Sequence, residues 1–274
     1  MHQSAKPAIN SIRSSLKRIE LKESGVLFNE EEHTYWLGGK EMSGITGMLQ
    51  RQLFPTEFDG IPKHFIQGAA DYGTGVHQSC EDFDKNWNND GTQEVADYIQ
   101  ICKDNGLVHE CSEYTVTDGE NWASKIDKVY RVSENTFSLG DIKTYGQMTP
   151  EKLEKARWQL SIYAYFFELM NRKAKVDQLF IIRLHNKMKK DGSFDRIKEI
   201  IFVNRIPSET CKELLDSDLR GEQFVNPYNI PDEYKSQEQT IRDLIQTKAE
   251  VEEQLANIKA RILADMEKQG VKTW

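Results

Sequence analysis

The sequence predicts an α/β fold: a mixed central sheet flanked by helices, with a charged helix at the C-terminus. Three observations carry this. Short runs rich in Val, Ile, Tyr, Phe and Thr at 107–117, 122–132 and 136–144 are separated by Asp118-Gly119 and by Ser133-Glu134-Asn135, the pattern of three antiparallel strands joined by tight turns. Helical periodicity precedes this meander and follows it, and two more strand-like runs come after (177–184 and 196–203). The order helices, three strands, helix, two strands suits a mixed sheet rather than a bundle or a sandwich. The tail, about Asp232 to Gln269, repeats apolar residues at alternating three- and four-residue steps, as a long amphipathic helix does.

Taken in order, Ile9, Ile12, Leu16 and Ile19 predict a short helix over 9–20. Residues 25–39 read as a hairpin, with Val26 and Phe28, acidic turn residues, then Thr34, Tyr35 and Trp36 before Gly38-Gly39. Ser43 is the expected cap of a helix running to about Gln52, and Phe54 to Pro62 reads as loop. Helices are expected from about Ala69 to Asn86 and from Gln93 to Asn105, where Gly106 stops the second. Thr149 and Pro150 supply a cap and a first-turn proline for a helix to about Asn171, and another helix falls near 207–218. Residues 1–230 are expected to form one domain and 231–274 a coiled-coil-like extension. Its stripe is Ile241, Leu244, Lys248, Val251, Leu255, Ile258 and Ile262, with Lys248 interrupting. Packing back onto its own domain is the simpler expectation for it, ahead of a homo-oligomeric coiled coil.

Composition narrows the function classes. Five Trp, ten Tyr and twelve Phe in 274 residues are too many for a disordered chain. No run approaches the roughly 18 apolar residues of a membrane span, and no secretory signal is recognisable. Four scattered cysteines (Cys80, Cys102, Cys111, Cys211) form no CxxC pair, which argues against a zinc ribbon or disulfide scaffold and for a cytoplasmic setting. The net charge of −8 speaks weakly against nucleic acid. Yet Arg172 to Lys198 holds Arg172, Lys173, Lys175, Arg183, Lys187, Lys189, Lys190, Arg196 and Lys198 against three aspartates. That stretch is either a solvated hairpin or a phosphate-facing patch, with Arg183, Lys187, Lys189 and Lys190 the candidate contacts.

The hairpin carrying Ser124-Lys125-Ile126-Asp127 and Gly140-Asp141-Ile142-Lys143 is the most informative feature. Asp141 and Lys143 share one face, because side chains alternate along a strand. A turn centred on Glu134 places Asp127 directly opposite Asp141, with Cβ atoms about 5 Å apart. Two carboxylates there repel by roughly 3 kcal/mol at an effective dielectric of 20. A divalent cation would compensate, and Lys143 beside it would hold a hydroxide or stabilise developing negative charge. The plainer alternative is a cross-strand Asp127–Lys143 ion pair, and a one-residue slip would separate the carboxylates. His77 lies in a helix before the sheet, with Glu81 one turn on, and is a reasonable third ligand. Gln159 and Tyr163 share a helix face after Lys143, and Glu113, or alternatively Glu110, could add a carboxylate from the first meander strand.

The ordered set GTGVH (73–77), SEYTV (112–116), KID (125–127), GDIKT (140–144) and QLSIY (159–163) resembles the PD-(D/E)XK nuclease superfamily, in its RecB-like branch, over about residues 25 to 203. The branch includes nuclease domains of bacterial recombination helicases, CRISPR-associated small nucleases and many phage exonucleases. YWLGGKEMSGIT (35–46) also looks like the hairpin and helix start of phage members. The resemblance implies a restriction-endonuclease-like core and a metal-dependent DNA nuclease. His77, Asp127, Asp141 and the Ile142 carbonyl would ligate Mg²⁺ or Mn²⁺, Lys143 would be the catalytic lysine, and Gln159 and Tyr163 would position substrate. Glu113 matches a less regular acidic position. Ser124 and Lys125 stand where the family often has glycine. Only Cys211 lies where some relatives cluster cysteines, so no iron–sulfur cluster is expected, nor a nucleotide cofactor. A single-strand annealing protein is a plausible partner beside DNA, RNA stays open as a substrate, and the alternative is a non-catalytic DNA-binding or assembly protein on the same fold.

Overall fold

The computed structural model describes residues 18–30, 32–189, 191–229 and 232–270. In chain order these form β1 (Leu27–Asn29), β2 (Thr34–Leu37), β3 (Lys40–Gly44), α1 (Ile45–Gln52), α2 (Lys63–Asn86), α3 (Gln93–Asp104), β4 (His109–Thr117), β5 (Trp122–Arg131), β6 (Thr136–Lys143), α4 (Pro150–Met170), β7 (Lys175–Met188), β8 (Phe194–Val203), α5 (Ser208–Arg220) and α6 (Asp232–Lys268). The chain divides into two compact units, Met1–Phe224 and Val225–Trp274. Among the described residues no helix is long and apolar enough to cross a membrane.

The mixed sheet flanked by helices is present. Its eight strands run β1-β2-β3-β5-β6-β7-β8, with β4 paired to β5 off that path. β4, β5 and β6 form the antiparallel meander. β6 and β7 are parallel, and α4 is the crossover that a parallel pair requires. Thr149 caps α4 by accepting from the Lys152 N–H, with Pro150 in the first turn.

Alternation along the strands sorts side chains between two cores. Phe137, Leu139, Leu179 and Ile181 pack with α1, α4 and α5, whereas Ile142, Phe180, Ile182 and Leu184 pack with α2 and α3. Burial on both faces explains why the middle of β7 reads as an unbroken apolar run. Gly140 is enforced by close approach: a Cβ there would lie 2.8 Å from the Phe180 ring and 3.0 Å from Tyr130.

Two expectations need correction. Ser43 does not cap α1. It ends in β3, donates its N–H to the Asn121 carbonyl at 2.8 Å, and leaves Gly44 at the cap with no side-chain hydrogen bond. β3 itself was not foreseen, because only Met42 of its five residues is buried. Most of the helix expected over 9–20 lies outside the described residues. Arg18, Ile19 and Glu20 are not helical, and Ile19 donates to the Glu134 carbonyl.

β5 is shared unevenly. One edge pairs with β4 along most of its length. The other pairs with β3 at Trp122 and Ala123 and with β6 from Lys128 to Arg131. Ser124 to Asp127 therefore lie in a gap between two neighbouring strands, and the candidate site forms there.

Candidate metal and catalytic centre

The meander takes the register of a turn centred on Glu134: Arg131 pairs with Phe137, Tyr130 with Ser138, Val129 with Leu139 and Lys128 with Gly140. The next residues in that series are Asp127 and Asp141. Asp127 Oδ2 accepts the Ile142 N–H at 2.8 Å, which fixes its carboxylate against β6. Asp141 is fully buried. Its Oδ1 accepts from Lys143 Nζ at 3.0 Å. Its Oδ2 lies 2.8 Å from the same ammonium but takes no well-aligned hydrogen bond, so a buried carboxylate oxygen stays open.

Burial, and then the Asp141 charge, push the Asp127 carboxyl up to about 7. Lys143 responds in the opposite sense. Burial by itself would lower it, but the Asp141 carboxylate beside it prevails, and the amine is held above its ordinary value. Lys143 is thus a firm cation at neutral pH. It also reaches Gln159 Oε1 at 3.4 Å, Gln159 Nε2 donates to the Tyr163 phenol oxygen at 2.6 Å, and Ser124 Oγ approaches that phenol at 3.4 Å. Tyr163 is only 2% exposed, so it buttresses Gln159 from within the core. Ser124, which departs from the glycine of the resemblance, is buried beside the Tyr163 phenol.

His77 comes from α2. Its Nε2 lies 2.9 Å from the Ile142 carbonyl, which can only accept, so this nitrogen carries the proton. Burial, with the Lys143 charge next, lowers the imidazole pKa, so the ring is neutral at pH 7. Nδ1 then presents a lone pair to Asp127 Oδ2 at 3.5 Å.

Glu113 joins them in an unusual way. Its φ is 53°, a left-handed conformation inside a strand, where only glycine is unstrained. Donor atoms of His77, Glu113 and Asp127 all lie within 4.8 Å of one another. Burial, and then Asp127, raise the Glu113 carboxyl above its usual range. Lys125 balances it at 3.6 Å and lies over the Phe28 ring at 4.1 Å. Two carboxylates with an imidazole form a donor set suited to a divalent cation, and Asp141 lies outside this group of three, with its open oxygen against Lys143. The residues present therefore fit a divalent cation.

The remaining candidates divide. Glu81 pairs with Lys85 on its own helix and lies outside the group of three. Glu110, the alternative to Glu113, is engaged by Arg131. In the basic stretch Arg183 donates to the Tyr145 and Gly146 carbonyls and pairs with Glu199, which makes it a brace for the loop after β6. Arg196 pairs with Asp97. Lys187 lies over the Tyr72 ring at 4.6 Å, Lys189 is exposed, and Lys190 lies outside the described residues. The sequence pattern assigns Lys125 no partner. Lys125 stood in the quoted KID motif, but its partner could not be read without the inward turn of Glu113.

Behind the site, a second polar cluster is fully engaged. Lys128, 2% exposed, donates to Asp84 Oδ2 at 2.6 Å and to Ser112 Oγ at 2.9 Å. The Tyr98 phenol also donates to Asp84, at 2.7 Å.

No protein-family model matches the chain, and no curated protein matches its sequence. Among solved structures, the protein SSO0001 is similar at a TM-score of 0.37, with 13% identity, covering 73% of this chain and 85% of that one. An alkaline exonuclease, LHK-Exo from Laribacter hongkongensis, is similar at a TM-score of 0.37, with 8% identity, covering 77% of this chain and 94% of the other.

Proposed function

We propose that the chain is a metal-dependent DNA nuclease of the PD-(D/E)XK kind, an exonuclease of phage or prophage recombination acting in the bacterial cytoplasm with Mg²⁺ or Mn²⁺. One observation carries the reading. Donor atoms of His77, Glu113 and Asp127 lie within 4.8 Å of one another, and Asp127 feels the charge of Asp141, which carries an open buried oxygen and the Lys143 ammonium against it. His77, Glu113, Asp127, Asp141 and the Ile142 carbonyl would hold the cation. Bound there, it would supply Lewis-acid stabilisation of charge developing on the phosphate.

The chain's own groups do the rest. Lys143 is cationic, so it steadies an incoming hydroxide or the phosphate oxygens and does not take a proton. Gln159 aims Lys143, and Tyr163 holds Gln159. Exposed basic residues near Lys187 and Lys189 would follow the DNA backbone, and a single-strand annealing protein would receive the strand left behind.

The test is cleavage of end-labelled and of covalently closed circular DNA with Mg²⁺ or Mn²⁺. An exonuclease cuts the first and spares the second, and EDTA stops it. Lys143→Ala should lower the rate at least about a hundredfold with circular dichroism unchanged. Cleavage by Lys143→Ala at the wild-type rate overturns the mechanism. The non-catalytic alternative predicts no calorimetric Mn²⁺ binding that depends on Asp127.

A further inference from the structure

α6 is a 37-residue helix, about 55 Å long. Its seam residues Ile241, Leu244, Val251, Leu255 and Ile258 are each between 46% and 63% exposed. In heptad terms Ile241, Lys248, Leu255 and Ile262 hold the a positions, and Leu244, Val251, Ile258 and Asp265 the d positions. Two charged residues thus interrupt an apolar seam, Lys248 at a and Asp265 at d. Their spacing identifies the partner.

We propose that α6 pairs with α6 of a second copy of this chain, as an antiparallel two-stranded coiled coil. In an antiparallel pair a positions meet d positions. The register that places Lys248 against the partner's Asp265 also places Val251 against the partner's Ile262 and Leu255 against the partner's Ile258. Twofold symmetry repeats each pair, so an apolar centre is closed at both ends by a Lys–Asp pair. The flanking e positions agree, since Glu252 comes level with the partner's Lys259, again twice. The helix is also uneven in charge: Glu250, Glu252 and Glu253 precede Lys259 and Arg261, and reversing one copy sets acidic against basic.

A parallel, in-register pair does the reverse. It opposes Lys248 with Lys248 and Asp265 with Asp265 inside the seam, where like charges are costly. Among the described residues Lys248 pairs with Glu252, one turn away at 3.8 Å, and both side chains are largely exposed. Polar groups at single a and d positions cost stability and select register and orientation. The occupant of the Lys248–Asp265 part of this stripe is therefore a second copy of the same helix, reversed.

Sedimentation equilibrium on the full-length protein across the micromolar range tests this. The expected result is a monomer–dimer equilibrium. Lys248→Asp opposes two aspartates at each end of the seam and should weaken the dimer at least about tenfold, as should Asp265→Lys. The double swap Lys248→Asp with Asp265→Lys restores opposite charges and should recover wild-type affinity. A parallel dimer exchanges one like-charge pair for another and shows no such cycle. A chain that stays monomeric, a dimer indifferent to either single change, or a double swap no tighter than the singles overturns the proposal. None of these readouts depends on nuclease activity.

Discussion

At Asp127, burial and the Asp141 charge lift the carboxyl from 3.8 to about 7, so the metal-free site keeps a proton that an exposed aspartate would lose. The sign follows from linkage. Between about pH 4 and 7 the folded state binds more protons at this group than the unfolded state, so its contribution to stability falls as pH rises through that window. A divalent cation competes for the same oxygens. Mn²⁺ affinity measured by calorimetry should therefore rise about tenfold per pH unit up to about pH 7 and then level. Asp127→Asn should lose that binding. Its metal-free melting temperature should gain on the wild type as pH rises from about 4 to 7, and a gain that shrinks over this range would contradict the assignment. The register of β5 on β6 from Lys128 to Arg131 was legible because it can be counted from a turn. The state of His77 was not, since it depends on the Ile142 carbonyl, which comes within reach only when α2 packs on the sheet. Glu113 was visible as a residue type, whereas its convergence on Asp127 needs a backbone conformation that no local pattern announces.

At the scale of elements, strands with strong side-chain patterns were readable and those held by backbone alone were not. β5 and β6 carry alternating or continuous apolar residues and emerged near their observed limits, whereas β7 runs on from Leu184 to Met188 through a polar end that carries no such pattern. β3 is short, mostly exposed and polar, and it exists because its backbone pairs with β2 and with the start of β5. α2 begins at Lys63, earlier than expected, because Gly68 dilutes the helical signal over its first turns. The glycine of GDIK belongs to this scale too. It lets β6 pass beneath the Phe180 and Tyr130 rings while Asp141 and Lys143 stay in line. Gly140→Ala should cost about 1–3 kcal/mol of unfolding free energy in urea through overpacking, and a neutral result would mean that the rings move aside freely.

Across the whole molecule, one helix is fastened to one strand at two points. α2 touches β5 through His77 at Asp127 and, seven positions later, through Asp84 at Lys128. Two fastenings two turns apart leave the helix no freedom to roll or slide unless both let go. On this reading the imidazole owes its aim to the buried Lys128–Asp84 pair. Lys128→Met keeps every proposed ligand yet removes the second fastening, so Mn²⁺ affinity by calorimetry should drop roughly tenfold with secondary structure retained. Unchanged affinity would mean that packing alone sets the helix. If the drop is seen, metal affinity can be tuned from a buried ion pair, by a rivet hidden beneath the working surface.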